Sequence, residues 1–260
     1  MSQQETLPPP SAADLVRIQA IEVCAFNAWP AVDEVRHGDW VLRLAGGFTK
    51  RANSANAVAP QADFSGVQAA AETLYARHGL PAIFRLTPLA CPHADDQLQA
   101  AGYAAFDPSC VMTRALGNGL PPANAEVDIA HQPSSAWLDG FAAANGVAPQ
   151  HQTVHHRMVR AIAQPTGFAT LRQSGQAIGF GLAVRERDTV GFYDIVIAPA
   201  HRHRGHGATL MHALLHWAQQ DGARWAYLQV REHNLAARQL YTGLGFTDLY
   251  RYHYRVPSGS

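Results

Sequence analysis

The chain has 260 residues, 47% hydrophobic and 15% charged, with 20 basic and 20 acidic side chains. That composition can bury a sizeable core and argues against a disordered chain. Zero formal net charge removes any global attraction to nucleic acid or to an anionic membrane surface, and no apolar run approaches the roughly 18 residues of a membrane span.

Residues 1–15, polar at first and then carrying Pro8-Pro9-Pro10, are expected to form a disordered tail. They show no basic and apolar segments of a secretory signal. Cys24, Cys91 and Cys110 are an odd, scattered set without ligand spacing, which fits a reducing cytosol and a cytoplasmic protein. Residues 16–115 read as a first domain. Trp40–Phe48 looks like a strand and a turn. Arg51-Ala52-Asn53-Ser54 leads into an apolar strand that Pro60 closes. A helix from Val67 to Gly79, a strand at Ala82–Leu86 and the stretch Leu98–Tyr103 follow. Residues 116–125, rich in Gly and Pro, read as a linker.

Residues 126–260 read as a second domain that repeats this order. Ile195–Ala198 is an apolar strand closed by Pro199. A helix runs from Gly207 to Gly222, a strand covers Ala226–Val230, and Tyr241-Thr242-Gly243-Leu244-Gly245-Phe246 matches Leu98–Tyr103. Gly79/Gly222, Gly102/Gly245 and Tyr103/Phe246 share one offset, 143 positions, and glycine at a helix end is the expected stop signal. Between proline and terminal glycine the first copy has 19 positions and the second 23. The first ligand loop therefore reads as four positions shorter, without the two arginines and the second glycine, and that copy as degenerate.

The segment Ile195, Val196 and Ile197, then Arg202, His203, Arg204, Gly205, His206, Gly207 and Ala208, reads as strand, basic turn and helix start. Free N–H groups at a helix N-terminus make such a turn a site for a phosphate-bearing ligand. Leu210, Leu214, Trp217 and Ala218 have helical spacing and read as core. Tyr227, Phe246, Tyr250, Tyr252 and Tyr254 read as packing. His201, His203 and His206 lack carboxylate or cysteine partners nearby, so no metal site is expected. His155-His156 precede a helical stretch and read as surface or cleft residues.

Arg202, Gly205 and Gly207 form Arg-x-x-Gly-x-Gly after a strand ending Ile-Ala-Pro. With Asn234, Ala236-Ala237, Leu240-Tyr241 and Leu244-Gly245-Phe246, the segment over roughly 126–255 resembles the GNAT superfamily of acyl-CoA-dependent N-acyltransferases. The resemblance implies an α/β (α+β) fold of two GNAT-like mixed-sheet domains flanked by helices. It also implies acetyl-CoA as cosubstrate and no metal. Main-chain groups of Ile195 and Ile197 would pair with the pantetheine arm. Amides of His203 through Ala208 would hold the pyrophosphate, with Gly205 and Gly207 leaving room that a Cβ would fill. Asn234 would bond the cofactor arm, and Tyr241 would protonate the leaving thiolate.

An amine attacks a thioester only when neutral, so a proton must leave it, and an N–H near Ile195–Ile197 could receive the developing oxyanion. Some family members carry a glutamate where Gln229 stands here; glutamine takes no proton. Asp194, on the strand entering the cofactor site, is the next candidate base, with Tyr193 and Glu232 behind it and a water chain as the alternative. Arg51 and Asn53 could reach an acceptor carboxylate, or could be interdomain or strand-edge groups; Tyr193 could also touch the acceptor. The expectation is an acetyltransferase acting on a small-molecule amine, with amino-acid-like amines among the candidates, as a monomer or homodimer. The alternatives are a protein N-terminal or lysine acetyltransferase and a CoA-binding module without turnover.

Overall fold

A computed structural model describes residues 9–117 and 126–258. The first eight residues of the expected tail, and 118–125 of the expected linker, lie outside the described residues. The chain divides into two compact units: unit one holds Met1–Val23, Asp33–Val111 and Asp248–Ser260, and unit two holds Cys24–Val32 and Met112–Thr247. The spans 16–115 and 126–260 differ from this at three places. Helix α1 (Ala12–Ala28) begins inside the stretch read as tail and ends in unit two, residues 112–115 also fall in unit two, and residues 248–260 fall in unit one.

Unit one is a mixed sheet with helices, the α/β architecture expected. Strand β1 (Asp33–His37) pairs antiparallel with β2 (Trp40–Leu44), which pairs antiparallel with β3 (Ala55–Ala57). β3 runs parallel to β4 (Phe84–Leu86) through helix α2 (Val67–Arg77). Helix α3 (His93–Ala100) precedes β5 (Tyr103–Ala115), which carries the chain into unit two. Its core is aromatic: Trp40, Phe64, Phe84 and Tyr103 meet edge to face at 5.2–5.7 Å. Beside it the buried Glu22 carboxylate takes a bidentate bond from Arg85 and another from the Tyr250 hydroxyl. A charge removed from water persists only when paired in this way.

Unit two contains β6 (Val127–Ala130), β7 (Thr166–Gln173), β8 (Gln176–Glu186) and β9 (Thr189–Ile197) as an antiparallel run, with β10 (Trp225–Arg231) parallel to β9. Helix α4 (Ser135–Asn145) starts where Ser134 Oγ accepts from the Trp137 amide at 3.1 Å, a side-chain cap for an otherwise orphaned donor. Helices α5 (Pro149–Arg160), α6 (His206–Gln220) and α7 (Leu235–Gly243) complete the unit. Phe180 of β8 sits against Gly140 of α4, while its neighbour Gly181 sits against Leu210 and Leu214 of α6. Alternation along a strand therefore puts α4 and α6 on opposite faces. Leu210, Leu214 and Ala218 are buried as the spacing predicts; Trp217 is half-buried at the edge of that stripe. Each fully buried leucine contributes about 1.5–3 kcal/mol.

The duplicated order has a matching backbone. Gly102 and Gly245 have φ +84° and +81°. Gly66 and Gly205 both cap a helix N-terminus in the left-handed region, at φ +73° and +84°. The four-position deficit does not lie in the loop, as the sequence suggested. Pro60 to Gly66 and Pro199 to Gly205 are equal in length, and the difference is one helical turn: α2 has 11 residues and α6 has 15.

Candidate active site

Unit two forms a slot where parallel strands part. The register of β9 with β10 runs from Thr189↔Trp225 to Phe192↔Leu228 and ends there. On its other side β9 stays paired with β8 as far as Gly179↔Ile197. From Ile195 to Ile197, among the described residues, β9 has no register partner on β10. A cavity of about 320 Å³ lies there, lined by Ile195, Val196 and Ile197, the turn 201–208 except Arg204, and Ala236, Ala237, Leu240 and Tyr241 of α7.

The turn presents donors. His203 and Gly205 are left-handed, at φ +61° and +84°, an arrangement that turns successive N–H groups toward one point. Among the described residues, the amides of His203, Arg204, Gly205, His206 and Gly207 have no acceptor in the protein. Ala208 was expected to join them, but its amide donates to Gly205 O at 3.0 Å, because it already belongs to the first helical turn. Gly205 has open space where a Cβ would stand, so its protein-side requirement is the positive φ; at Gly207 a Cβ would meet the tip of Leu240 at 3.1 Å.

His201 Nδ1 and His206 Nε2 are buried without a partner among the described residues, and both residues line the cavity. A diphosphate arm suits the free amides, and each ring nitrogen can donate to it in the tautomer that carries its proton. Arg202 Nε donates to Ile197 O at 2.9 Å, pinning the turn to the strand end. Arg204 is exposed and outside the lining.

The matching turn of unit one is closed on itself. Asp63, three positions past Pro60 as Arg202 is past Pro199, accepts from the Ser65 amide at 3.2 Å, and that bond holds its carboxyl below the usual range. The Val67 amide donates to Phe64 O at 3.1 Å, and Ala62 bonds Leu89 and Cys91 main chain at 2.9 and 3.3 Å. A parallel bridge Ala62↔Ala90 spans the strand ends that diverge in unit two.

Tyr241 on α7 is 8% exposed, and burial pushes its hydroxyl up to about 12, so it remains a proton donor at neutral pH. Asn234 does not line the cavity. Its Oδ1 caps α7 by accepting from the Ala237 amide at 3.2 Å, which leaves its amide protons for another partner. Tyr193 is buried, with its hydroxyl 2.6 Å from that of Tyr227 and its ring stacked on Trp29 at 6.0 Å.

Asp194 has φ +52° at a break in the β8–β9 register between Phe180 and Leu182. Its Oδ2 lies 2.8 Å from Nε2 of His155. Asn53 cannot serve an acceptor: its Oδ1 accepts from Ala45 and Gly47 amides, and its Nδ2 donates to Phe48 O and Thr49 O, which exhausts the amide. Arg51 lies in unit one on the short 3₁₀ turn Lys50–Ala52, its carbonyl accepting from Arg43. No three-residue group of His, Cys, Asp and Glu suited to a metal occurs among the described residues.

Three residues escaped the sequence reading. His155 was read as preceding a helix at the surface or cleft; it lies inside α5 and is fully buried. Met158 and Val159, buried three and four positions on, were the available signal, since that spacing marks one helix face. His201, considered in the sequence as a metal ligand, forms part of the cavity wall. Trp29 is sequentially remote from 126–260 and carried no signal.

A family model described as "Probable histone acetyltransferase Rv0428c C-terminal" matches residues 16–255. The chain is 31% identical over 245 residues to an uncharacterized N-acetyltransferase, YobR, of Bacillus subtilis, covering 92% of this chain and 98% of that one. A GCN5-related N-acetyltransferase from Kribbella flavida superposes with TM-score 0.70 at 18% identity, over 93% of this chain and 96% of its own. A tandem GNAT protein from the clavulanic acid biosynthesis pathway superposes with TM-score 0.62 at 15% identity, over 96% and 89%.

Proposed function

The chain belongs to the GNAT superfamily of N-acetyltransferases, within the family of the Rv0428c C-terminal model, and on that premise we propose that unit two transfers acetyl from acetyl-CoA to the primary amine of a small molecule. The observation that carries this reading is the row of uncommitted amides at 203–207 opening on the slot beside Tyr241. Acetyl-CoA would supply the activated acyl thioester. The amides of 203–207, with His201 and His206, would hold its diphosphate, and the open edge of β9 would align its arm as an added strand.

The residues then divide the work. A main-chain N–H at the β9 irregularity faces the developing oxyanion. Tyr241 gives its proton to the departing thiolate. Asp194 takes the proton that the attacking ammonium must lose. Holding both reactants in line can lower the barrier by about 7–11 kcal/mol, and no enzyme nucleophile is needed.

The test is an acceptor panel incubated with acetyl-CoA, read by free-thiol release and by product mass. Small amines, including amino acids, are expected to release thiol and gain acetyl mass. Because the matching family is described as a "Probable histone acetyltransferase", lysine-containing and free-N-terminal peptides belong in the panel. Acetylation of peptides alone would move the assignment to a protein acetyltransferase. Binding of CoA with no acceptor turnover would reduce the unit to a CoA-binding module.

A further inference from the structure

Three features converge on Asp194. It interrupts the pairing of β8 and β9, where Leu182↔Tyr193 is followed by Phe180↔Val196, so Gly181 faces two residues instead of one. Such an extra residue bends a strand and re-aims a side chain. Its backbone is left-handed at φ +52°, a conformation that costs a non-glycine residue about 1 kcal/mol and persists where the surroundings enforce it. Its carboxylate meets His155 Nε2 at 2.8 Å. The next residue, Ile195, lines the slot.

The surroundings of His155 are built to hold one ring orientation. Its ring stacks on Phe141 at 4.8 Å and 29°, and lies 6.0 Å from Trp29. The His155 side chain is fully buried while that of Asp194 keeps 8% exposure, so the pair opens to its surroundings through the carboxylate. A carboxylate only accepts, which makes Nε2 the donor. In this apolar setting the bond is strengthened by the low local dielectric. A hydrogen bond to one oxygen fixes the rotamer and leaves the other oxygen to accept a proton.

We infer that His155 is a positioning residue: its Nε2–H holds Asp194 so that the free carboxylate oxygen faces the acceptor ammonium, and the proton released on amine attack passes to that oxygen. This rests on the reading of Asp194 as the proton acceptor. It adds a second residue to that role, one contributed by a helix outside the cofactor-binding segments.

The experiment uses the full-length protein, with the acceptor that gives the highest turnover in the amine panel. His155→Phe keeps the stacked ring and deletes the donor. His155→Gln deletes the ring and keeps an amide N–H near the Nε2 position. A packing role orders the variants with Phe above Gln in kcat; a positioning role reverses that order. We expect His155→Phe to lose about thirtyfold or more in kcat, within the range that misplacing a proton-transfer group costs. We expect His155→Gln to stay within about fivefold of wild type, and the acetyl-CoA Kd to stay within about twofold in both.

If His155→Phe does not give a cooperative melt, His155→Asn, whose amide falls short of Asp194, takes its place in the comparison. Equal kcat for the donor-bearing and donor-lacking variants, or the order Phe above Gln, overturns the inference. Asp194→Asn separates the two levels. Wild-type kcat in Asp194→Asn ends the proton-acceptor reading itself. A large loss there, combined with no difference between the His155 variants, ends only the positioning role. In the Asp194→Asn background, removing the His155 donor is expected to cost no further activity.

Discussion

At the residue scale, burial decides what Tyr241 can do. Its hydroxyl is pushed up to about 12, so Tyr241→Phe is expected to lower kcat about tenfold to a hundredfold while acetyl-CoA affinity, measured by calorimetry, stays within about twofold. Tyr241 should contribute no alkaline limb to kcat below about pH 11. The linkage sign is fixed as well: the unfolded chain releases this proton near pH 10 and the folded chain near 12, so the residue's share of stability declines as pH rises through that window.

Gly205 answers a backbone demand. With φ +84° and open space at the Cβ position, Gly205→Ala is expected to cost about 1 kcal/mol, seen as a lower midpoint in denaturant. Gly205→Glu adds like charge beside the proposed diphosphate site and should weaken acetyl-CoA binding by about a hundredfold or more, read by calorimetry.

At the element scale, the contrast lies between two strand–turn–helix units of equal loop length. In unit two the strands part after Phe192 and the turn's amides remain uncommitted. In unit one Ala62 bridges Ala90, and Asp63 fills its own turn. The first copy therefore keeps its strand ends bridged, and the Asp63 carboxylate takes an amide of the matching turn. Asn234 shows how one side chain can serve an element and a site together. Asn234→Asp keeps an oxygen for the Ala237 amide but loses the amide donor, so the melting temperature should hold while acetyl-CoA affinity declines. Asn234→Ala should lower both, with about 1 kcal/mol lost from the cap. Equal acetyl-CoA affinity in wild type and Asn234→Asp would show that the residue only caps α7.

At the scale of the whole molecule, the chain passes between its two units at four points: within α1, after Val32, within β5 and at the start of β11 (Thr247–Pro257). Trp29, which lies beside His155 and Tyr193, comes from the N-terminal quarter of the sequence, and most of β11 belongs to the other unit. A fragment of residues 126–260 lacks Trp29 and leaves β11 without β4, its partner in the Leu86↔His253 register. It is expected to give no cooperative thermal melt and no acetyl-CoA binding, whereas the full chain gives both; circular dichroism and calorimetry check this directly.

What the sequence determined by itself was local. The basic turn after Pro199 and the glycines that end helices depend on neighbours within a few positions, where φ preferences and hydrogen-bond geometry are written residue by residue; the shared offset came from comparing the two halves, and the candidacy of Tyr241 from the family resemblance. Tertiary structure alone decided that Asn53 spends its amide inside unit one and that the missing four positions shorten a helix instead of a loop. It also bridged Ala62 to Ala90 in the first copy and brought His155 to Asp194 across 39 positions. Those outcomes depend on which strands continue to pair and which faces meet, and pairing between distant segments leaves no periodic trace in either one.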